Sequence, residues 1–296
     1  MIVYANDADF ICRDPALVDP IKTHAPAVLE RWSLQMNASK TELTTLPRCV
    51  TPASTDPKAR AKEEHWRSTR KLGSLLGDAE DVSRRKTLAT GALRRLWTVW
   101  LRPHHITDKT RIRLYNCYVL PILLYNCGTW APTPTELRNL ESFHRRQLRA
   151  ILNVHYPRRI SNANLYKACN ERPLRHRITK ARWSLFGHIL RRPRDIPAFS
   201  QMKAYFAPLD SGKWCGRRRT TLPVVLDQDL VASGCGLRLQ TDRDLEKLRT
   251  LAQNRRKWKD LMTRLAESLP AEGDSTYADT TLCRRLATLN LLAQGA

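Results

Sequence analysis

No two of the eight cysteines form a Cys-x-x-Cys pair, and Cys12, Cys49, Cys117, Cys127, Cys169, Cys215, Cys235 and Cys283 follow no regular spacing. Neither a zinc ribbon nor a disulfide framework is supported, so reduced intracellular thiols are the default. Long apolar runs are missing too. The longest, Tyr118 to Tyr125, is under half of the ~20 residues a membrane helix needs, and Pro121 breaks it. No basic segment precedes an apolar one at the start, neither end carries a lipidation motif, and no internal repeat is present. The expected setting is the nucleus or cytoplasm, without secretion or a membrane.

Acidic residues are the other scarcity, with 28 Asp and Glu against 51 Lys and Arg, a formal charge of +23. Such a balance favours a polyanionic partner over an acidic small molecule, and nucleic acid fits best. The charge is unevenly placed. Residues 1–45 hold four basic side chains (Arg13, Lys22, Arg31, Lys40) against six acidic ones (Asp7, Asp9, Asp14, Asp19, Glu30, Glu42), which leaves +25 for the remainder. An acidic head before a basic body suits a metal site beside a polyanion groove, and equally two unrelated modules.

At 296 residues the chain can bury one large or two small cores. It opens on Ile2-Val3-Tyr4-Ala5, a strand pattern, and a second strand-like run spans Ala8 to Cys12, so a β-hairpin turning at Asn6-Asp7 is predicted. An isolated hairpin is marginal, and the start reads as internal to a larger domain. Helical spacing of Ile21, Ala25, Val28, Leu29 and Trp32 predicts a helix over 19–32, weakened or delayed by Pro26. Asn37 to Lys40 forms a turn before a strand candidate at 41–46, and 47–61 is a linker rich in Pro, Ser and Thr.

Beyond the linker the chain reads as mainly helical. A helix over 81–100 presents Val82, Leu88, Ala92, Leu96 and Val99 on one face, with Arg84, Arg85, Lys86, Arg94 and Arg95 outside it. Thr133-Pro134-Thr135-Glu136 is a capping box. The helix it opens has Leu137, Leu140, Phe143, Leu148, Ile151 and Leu152 inward, and Arg138, Arg145, Arg146 and Arg149 largely outward. Further helices are expected at 179–190 and, as one long element capped near Thr241 or Asp242, at 242–265. Between them, 213–219 is a basic loop.

Ile2-Val3-Tyr4-Ala5-Asn6-Asp7 resembles the Tyr-Ala-Asp-Asp hairpin of reverse transcriptases, with one letter changed. Trp32 to Glu42, containing Asn37-Ala38-Ser39-Lys40-Thr41-Glu42, is similar to the block that follows it in LINE-type (non-LTR) retrotransposon enzymes. Lys71-Leu72-Gly73-Ser74-Leu75-Leu76-Gly77-Asp78 is similar to their segment between palm and thumb. The runs Arg111 to Tyr115, Leu123 to Trp130 and Arg182 to Arg192 extend the resemblance through most of the helical body. The order of the blocks strengthens each.

The resemblance implies an α+β chain: a partial reverse-transcriptase palm over 1–78, a helical thumb and post-thumb region over 79–200, and a basic loop with C-terminal helices over 201–296. It implies RNA-directed DNA polymerisation on RNA and DNA, with Asn6 and Asp7 at the catalytic turn, Lys40 near the incoming phosphates and Asp7 as metal ligand. Mg²⁺ is the implied cofactor, in a pair of ions held by carboxylates. Asn6 is neutral and cannot bridge two cations, and the strand carrying the other Asp is not in the chain, so the chain alone is expected to be inactive.

From their own chemistry, Arg84-Arg85-Lys86, Arg145-Arg146 with Arg149, Arg158-Arg159 and Arg217-Arg218-Arg219 are the candidate phosphate contacts. Trp130, Trp183 and Phe186 fall on apolar faces and are expected in the core. His188 reads as a packing or capping residue, since no second metal ligand lies three or four residues on. No Cys/His knuckle follows. The competing reading is a non-enzymatic basic RNA- or DNA-binding protein.

Overall fold

The computed structural model describes residues 2–4, 7–12, 14–46, 64–98, 106–206 and 220–268, with the backbone alone for 2–4 and 7. The described residues are mainly helical with two small antiparallel sheets, and the chain divides into units 1–46 and 47–296.

In the first unit, β1 (Ile2–Tyr4) pairs with β2 (Asp7–Asp9) in the register Ile2↔Asp9, Val3↔Ala8, Tyr4↔Asp7. Asp7, expected in the turn, instead opens β2 opposite Tyr4. Helix α1 (Val18–Glu30) follows a 3-10 turn at Pro15–Leu17, where Asp14 Oδ1 accepts the Ala16 N–H at 2.9 Å. Pro26 lies inside α1 without ending it. Asn37 caps a second 3-10 turn, Ala38–Lys40. The expected strand at 41–46 does not form, and no strand among the described residues pairs with it. No described side chain of this unit is buried, and Trp32 is 77% exposed.

The second unit has two cores. The first is built by α2 (Asp78–Leu96), α3 (Asp108–Leu114), α4 (Leu120–Leu123), α5 (Pro134–Ile151), α6 (Asn162–Cys169) and the first half of α7 (Leu174–Arg191). Between α3 and α4 the helix widens at Tyr115–Val119, where the Leu120 N–H reaches back to Tyr115 O just ahead of Pro121, which has no N–H to give. The α5 capping box forms as expected: Thr133 Oγ1 accepts the Glu136 N–H at 3.3 Å and Glu136 Oε2 accepts the Thr133 N–H at 2.7 Å. Such caps stabilise a helix by about 1 kcal/mol. In α2 Val82 is buried and Ala92 and Leu96 pack against the core as expected, Ala89 and Leu93 join them, Leu88 is exposed instead, and Val99 falls outside the described residues.

The second core joins the rest of α7 to α8 (Pro197–Tyr205), α9 (Leu222–Ser233), α10 (Asp242–Gln253) and α11 (Arg255–Glu267). Trp183 and Phe186 are fully buried there, as expected. Asp229 accepts from Arg182 Nη1 and Trp183 Nε1, both at 2.9 Å, fixing α9 to α7. Gly187 is required by close approach: a Cβ there would meet Trp258 Nε1 at 2.2 Å. Helices α10 and α11 correct the single long helix expected over 242–265. Asn254 is extended, and its Oδ1 accepts the N–H groups of Arg256 and Lys257, each at 3.1 Å, starting a new helix in mid-pattern.

Candidate nucleic-acid interface

The candidate cations of α2 do different work from one another. Residues Arg70–Lys71 (β3) and Ser74–Leu75 (β4) form a hairpin whose turn residues, Leu72 and Gly73, have φ of 46° and 81°. Arg84 Nη1 donates to the Gly73 carbonyl at 2.7 Å, and Arg85 donates to the same oxygen and to Ser74 Oγ. Arg85 is only 5% exposed, lies 3.4 Å from Asp81 and stacks its guanidinium 4.3 Å from the Tyr125 ring centroid. The expectation that Arg85 lies outside the packed face is therefore corrected: a charge at this depth is held by carboxylate, carbonyl and ring. The Leu72-Gly73 turn, whose backbone could have approached a phosphate, turns its carbonyl to these arginines.

Lys86 emerges on the far side of α2. Burial and the neighbouring Arg146 guanidinium hold its ammonium below the usual lysine range. Arg146 is exposed on α5 with its guanidinium 6.0 Å from the Phe143 ring centroid, and Arg145 beside it is half-buried. Arg149 has a tethering role: Nη2 donates to Ile160 O at 3.2 Å and Asn162 Oδ1 at 2.7 Å. That tether bends the segment 152–161 back along α5 and closes an open hollow of about 510 Å³, lined by Ser142, Arg146, Arg149, Ala150, Val154, His155 and Tyr156. Tyr156 is 85% exposed at its rim, and Arg158 and Arg159 follow in solvent. Guanidiniums around an exposed ring offer phosphate contacts and a stacking face together. Tyr156 and His155 were not among the expected residues. Their signal is an aromatic set between a histidine and a paired arginine.

Under this surface α5 carries a buried polar stripe. His144 Nδ1 lies 2.8 Å from the Tyr115 hydroxyl, which donates to Gln147 Oε1 at 2.9 Å. Glu141 accepts from the Tyr166 hydroxyl at 2.9 Å and from the Arg175 N–H at 2.8 Å. Burial, reinforced by Arg177 and Arg145, pushes His144 down to about 3, so it is neutral near pH 7. Burial raises Cys127 and Cys169 to about 11, which leaves both as packing thiols. The stripe fixes α5 and so aims Arg146 outward.

Asn6 and Arg217, Arg218 and Arg219 fall outside the described residues, and Asp7 is placed by its backbone alone. Lys40 is exposed at the end of its turn, its N–H held by Asn37 Oδ1 at 3.2 Å. Among the described residues no group of three His, Cys, Asp or Glu side chains is placed to hold a metal ion. Asn6 and Asp7 together supply one carboxylate beside a neutral amide, a donor set that does not fit a two-ion Mg²⁺ centre. His188 is exposed and accepts from Arg192 Nε at 3.3 Å, while its neighbour Gly187 does the packing. Set against known proteins, the chain matches no family model, no curated protein and no solved structure.

Proposed function

We propose that the chain binds RNA and DNA through the α2–α5 surface, as a non-catalytic piece of a LINE-type reverse transcriptase. The observation carrying the binding reading is the hollow beside α5, where Arg146 and the exposed ring of Tyr156 stand together with Lys86, Arg158 and Arg159 close by in chain or space. Phosphate contacts of this kind give affinity without sequence preference, and the ring takes any base. The polymerase relationship rests on the ordered sequence blocks. Asp7 alone supplies a carboxylate at the turn, so the polymerising step is not assigned to this chain. The competing reading, a binding protein with no polymerase ancestry, shares the same surface and is favoured by Arg85, whose structural use removes a reason for the α2 cluster to be tied to a primer strand.

Fluorescence anisotropy with labelled single strands and duplexes tests the binding. The affinity should differ little between sequences and fall steeply with salt. A constant that barely moves between low and high salt overturns the phosphate reading. Primer extension on an RNA template, with and without Asn6→Asp, separates the polymerase from the binding function.

A further inference from the structure

The end of α7 and the start of α11 carry five cationic side chains to which the proposed function gives no task, and Arg191 and Arg255 are close enough to repel each other. Arg191 Nη1 reaches the Ala252 carbonyl at 3.5 Å, and Arg249 Nη2 donates to the Arg192 carbonyl at 3.1 Å, so the end of α7 is clasped to the α10–α11 junction. Arg255, Arg256 and Lys257 begin α11 directly after that junction, all exposed, with no acidic residue in the first turn. Glu246 is paired with Arg194 and Asp244 with Lys247, and Asp260, one turn further along α11, is exposed and in no ion pair with the cluster. Among the described residues, none of Arg191, Arg192, Arg255, Arg256 and Lys257 is in an ion pair with a carboxylate.

The cluster is self-repelling. Burial first, and then Arg255, hold the Arg191 guanidinium below its ordinary range. The first turn of a helix also carries the positive end of its dipole, which repels the three cations placed there. A multivalent anion relieves both effects, and the planar guanidinium fork matches the oxygens of a phosphodiester.

We propose that Arg191, Arg192, Arg255, Arg256 and Lys257 form a second phosphate-backbone contact, separate from the hollow beside α5, and that one nucleic-acid molecule engages both. This rests on the binding function proposed above. Helix α7 sets the separation. Near its start the Arg175 N–H is bonded to Glu141 of α5, while its last residue, Arg191, belongs to the cluster. Its 18 residues span about 27 Å, or about eight base pairs of duplex.

The test uses the full chain, the variant Arg255→Gln/Arg256→Gln/Lys257→Gln, and two duplexes, one of roughly 20 base pairs and a hairpin-closed one of about 5. The wild-type chain should bind the long duplex more than about ten-fold tighter than the short one, with a steep salt dependence. The triple variant should lower the slope of log K against log salt by about 2 to 3 on the long duplex and remove most of the length advantage. Its melting temperature should hold or rise, since exposed repulsion is relieved. If the triple variant keeps the slope and the length advantage while Arg146→Glu lowers the slope, the second contact is wrong and the first stands. If the wild-type slope is flat, both readings fall. Capture by anionic phosphatidylserine vesicles that the triple variant loses, with duplex binding untouched, makes the cluster a lipid contact and overturns the proposal.

Discussion

Trp130 and Asp81, 49 residues apart in the chain, meet in the interior through an indole N–H donated to Asp81 Oδ2 at 3.1 Å. The other carboxylate oxygen accepts the Leu75 N–H at 3.0 Å and faces Arg85 Nε at 3.4 Å. One side chain thus ties the β3–β4 hairpin, α2 and the segment before α5 to each other.

Asp81→Ala should therefore cost about 3–5 kcal/mol, the range for removing one partner of a buried ion pair. Urea denaturation measures it. A loss below about 1 kcal/mol would mean that Arg85 and Trp130 find other partners and that Asp81 is no hub.

Arg146 and Arg149, three residues apart on α5, should separate binding from folding. Arg146→Glu should weaken duplex binding several-fold with an unchanged melting temperature. Arg149→Glu should destabilise by about 1–3 kcal/mol, because Ile160 O and Asn162 lose their donor. Equal effects of the two changes on both readouts would contradict the distinct roles given to them.

Acid should destabilise the α5 region through His144. Its folded value of about 3 lies below the ordinary 6.5, so between those limits the unfolded chain binds a proton that the folded chain refuses. This contribution to stability is complete above about pH 6.5 and is lost as pH falls towards 3, with a magnitude on the order of several kcal/mol. Asp78 and Asp229, both raised by burial, act in the opposite direction as carboxylates protonate, so the comparison must be with a variant. Stability against pH for His144→Gln should show a shallower acid limb than the wild type. Superimposable limbs would remove His144 from the explanation.

Substituting Gly187 by Ala should destabilise the second core by about 1–3 kcal/mol, since the new methyl overlaps Trp258 and the rigid indole is already bonded to Trp183 O at 3.1 Å. Thermal melting checks it, and an unchanged midpoint would show that α11 can slide away freely.

Primer extension should be absent with Mg²⁺ or Mn²⁺, for the wild-type chain and for Asn6→Asp alone, because one or two turn residues do not make the electrostatic cluster that phosphoryl transfer needs. Template-dependent extension that Asp7→Ala abolishes would reverse this and make Asp7 a metal ligand.

Local chemistry was legible in the sequence wherever one short segment decides the outcome. Thr133 and Glu136 specify their cap within four residues, Asn37 its turn, and the apolar stripe Leu140, Leu148 and Ile151 its buried face. Arg85 was illegible because its partners are a carbonyl at 73 and a ring at 125, neither of which helical spacing reveals. Asn254 was equally hidden, since the amphipathic pattern runs on across it while its extended backbone ends one helix and its side chain caps the next. The hollow depends on Arg149 drawing 152–161 back along α5, a tether between residues that look unrelated in the chain, and Tyr156 gains its place only through that tether.

Helix α7 contributes Leu174 and Ile178 to one core and Trp183, Phe186 and Leu190 to the other. A shared strut of this kind couples the two halves of the second unit in unfolding. Fraying of α11 exposes Trp183 through the loss of Trp258, and the loosened α7 then withdraws Leu174 and Ile178 from beneath α5. The two cores accordingly melt as one cooperative body, and amide protons in the middle of α7 exchange with solvent only when both have opened.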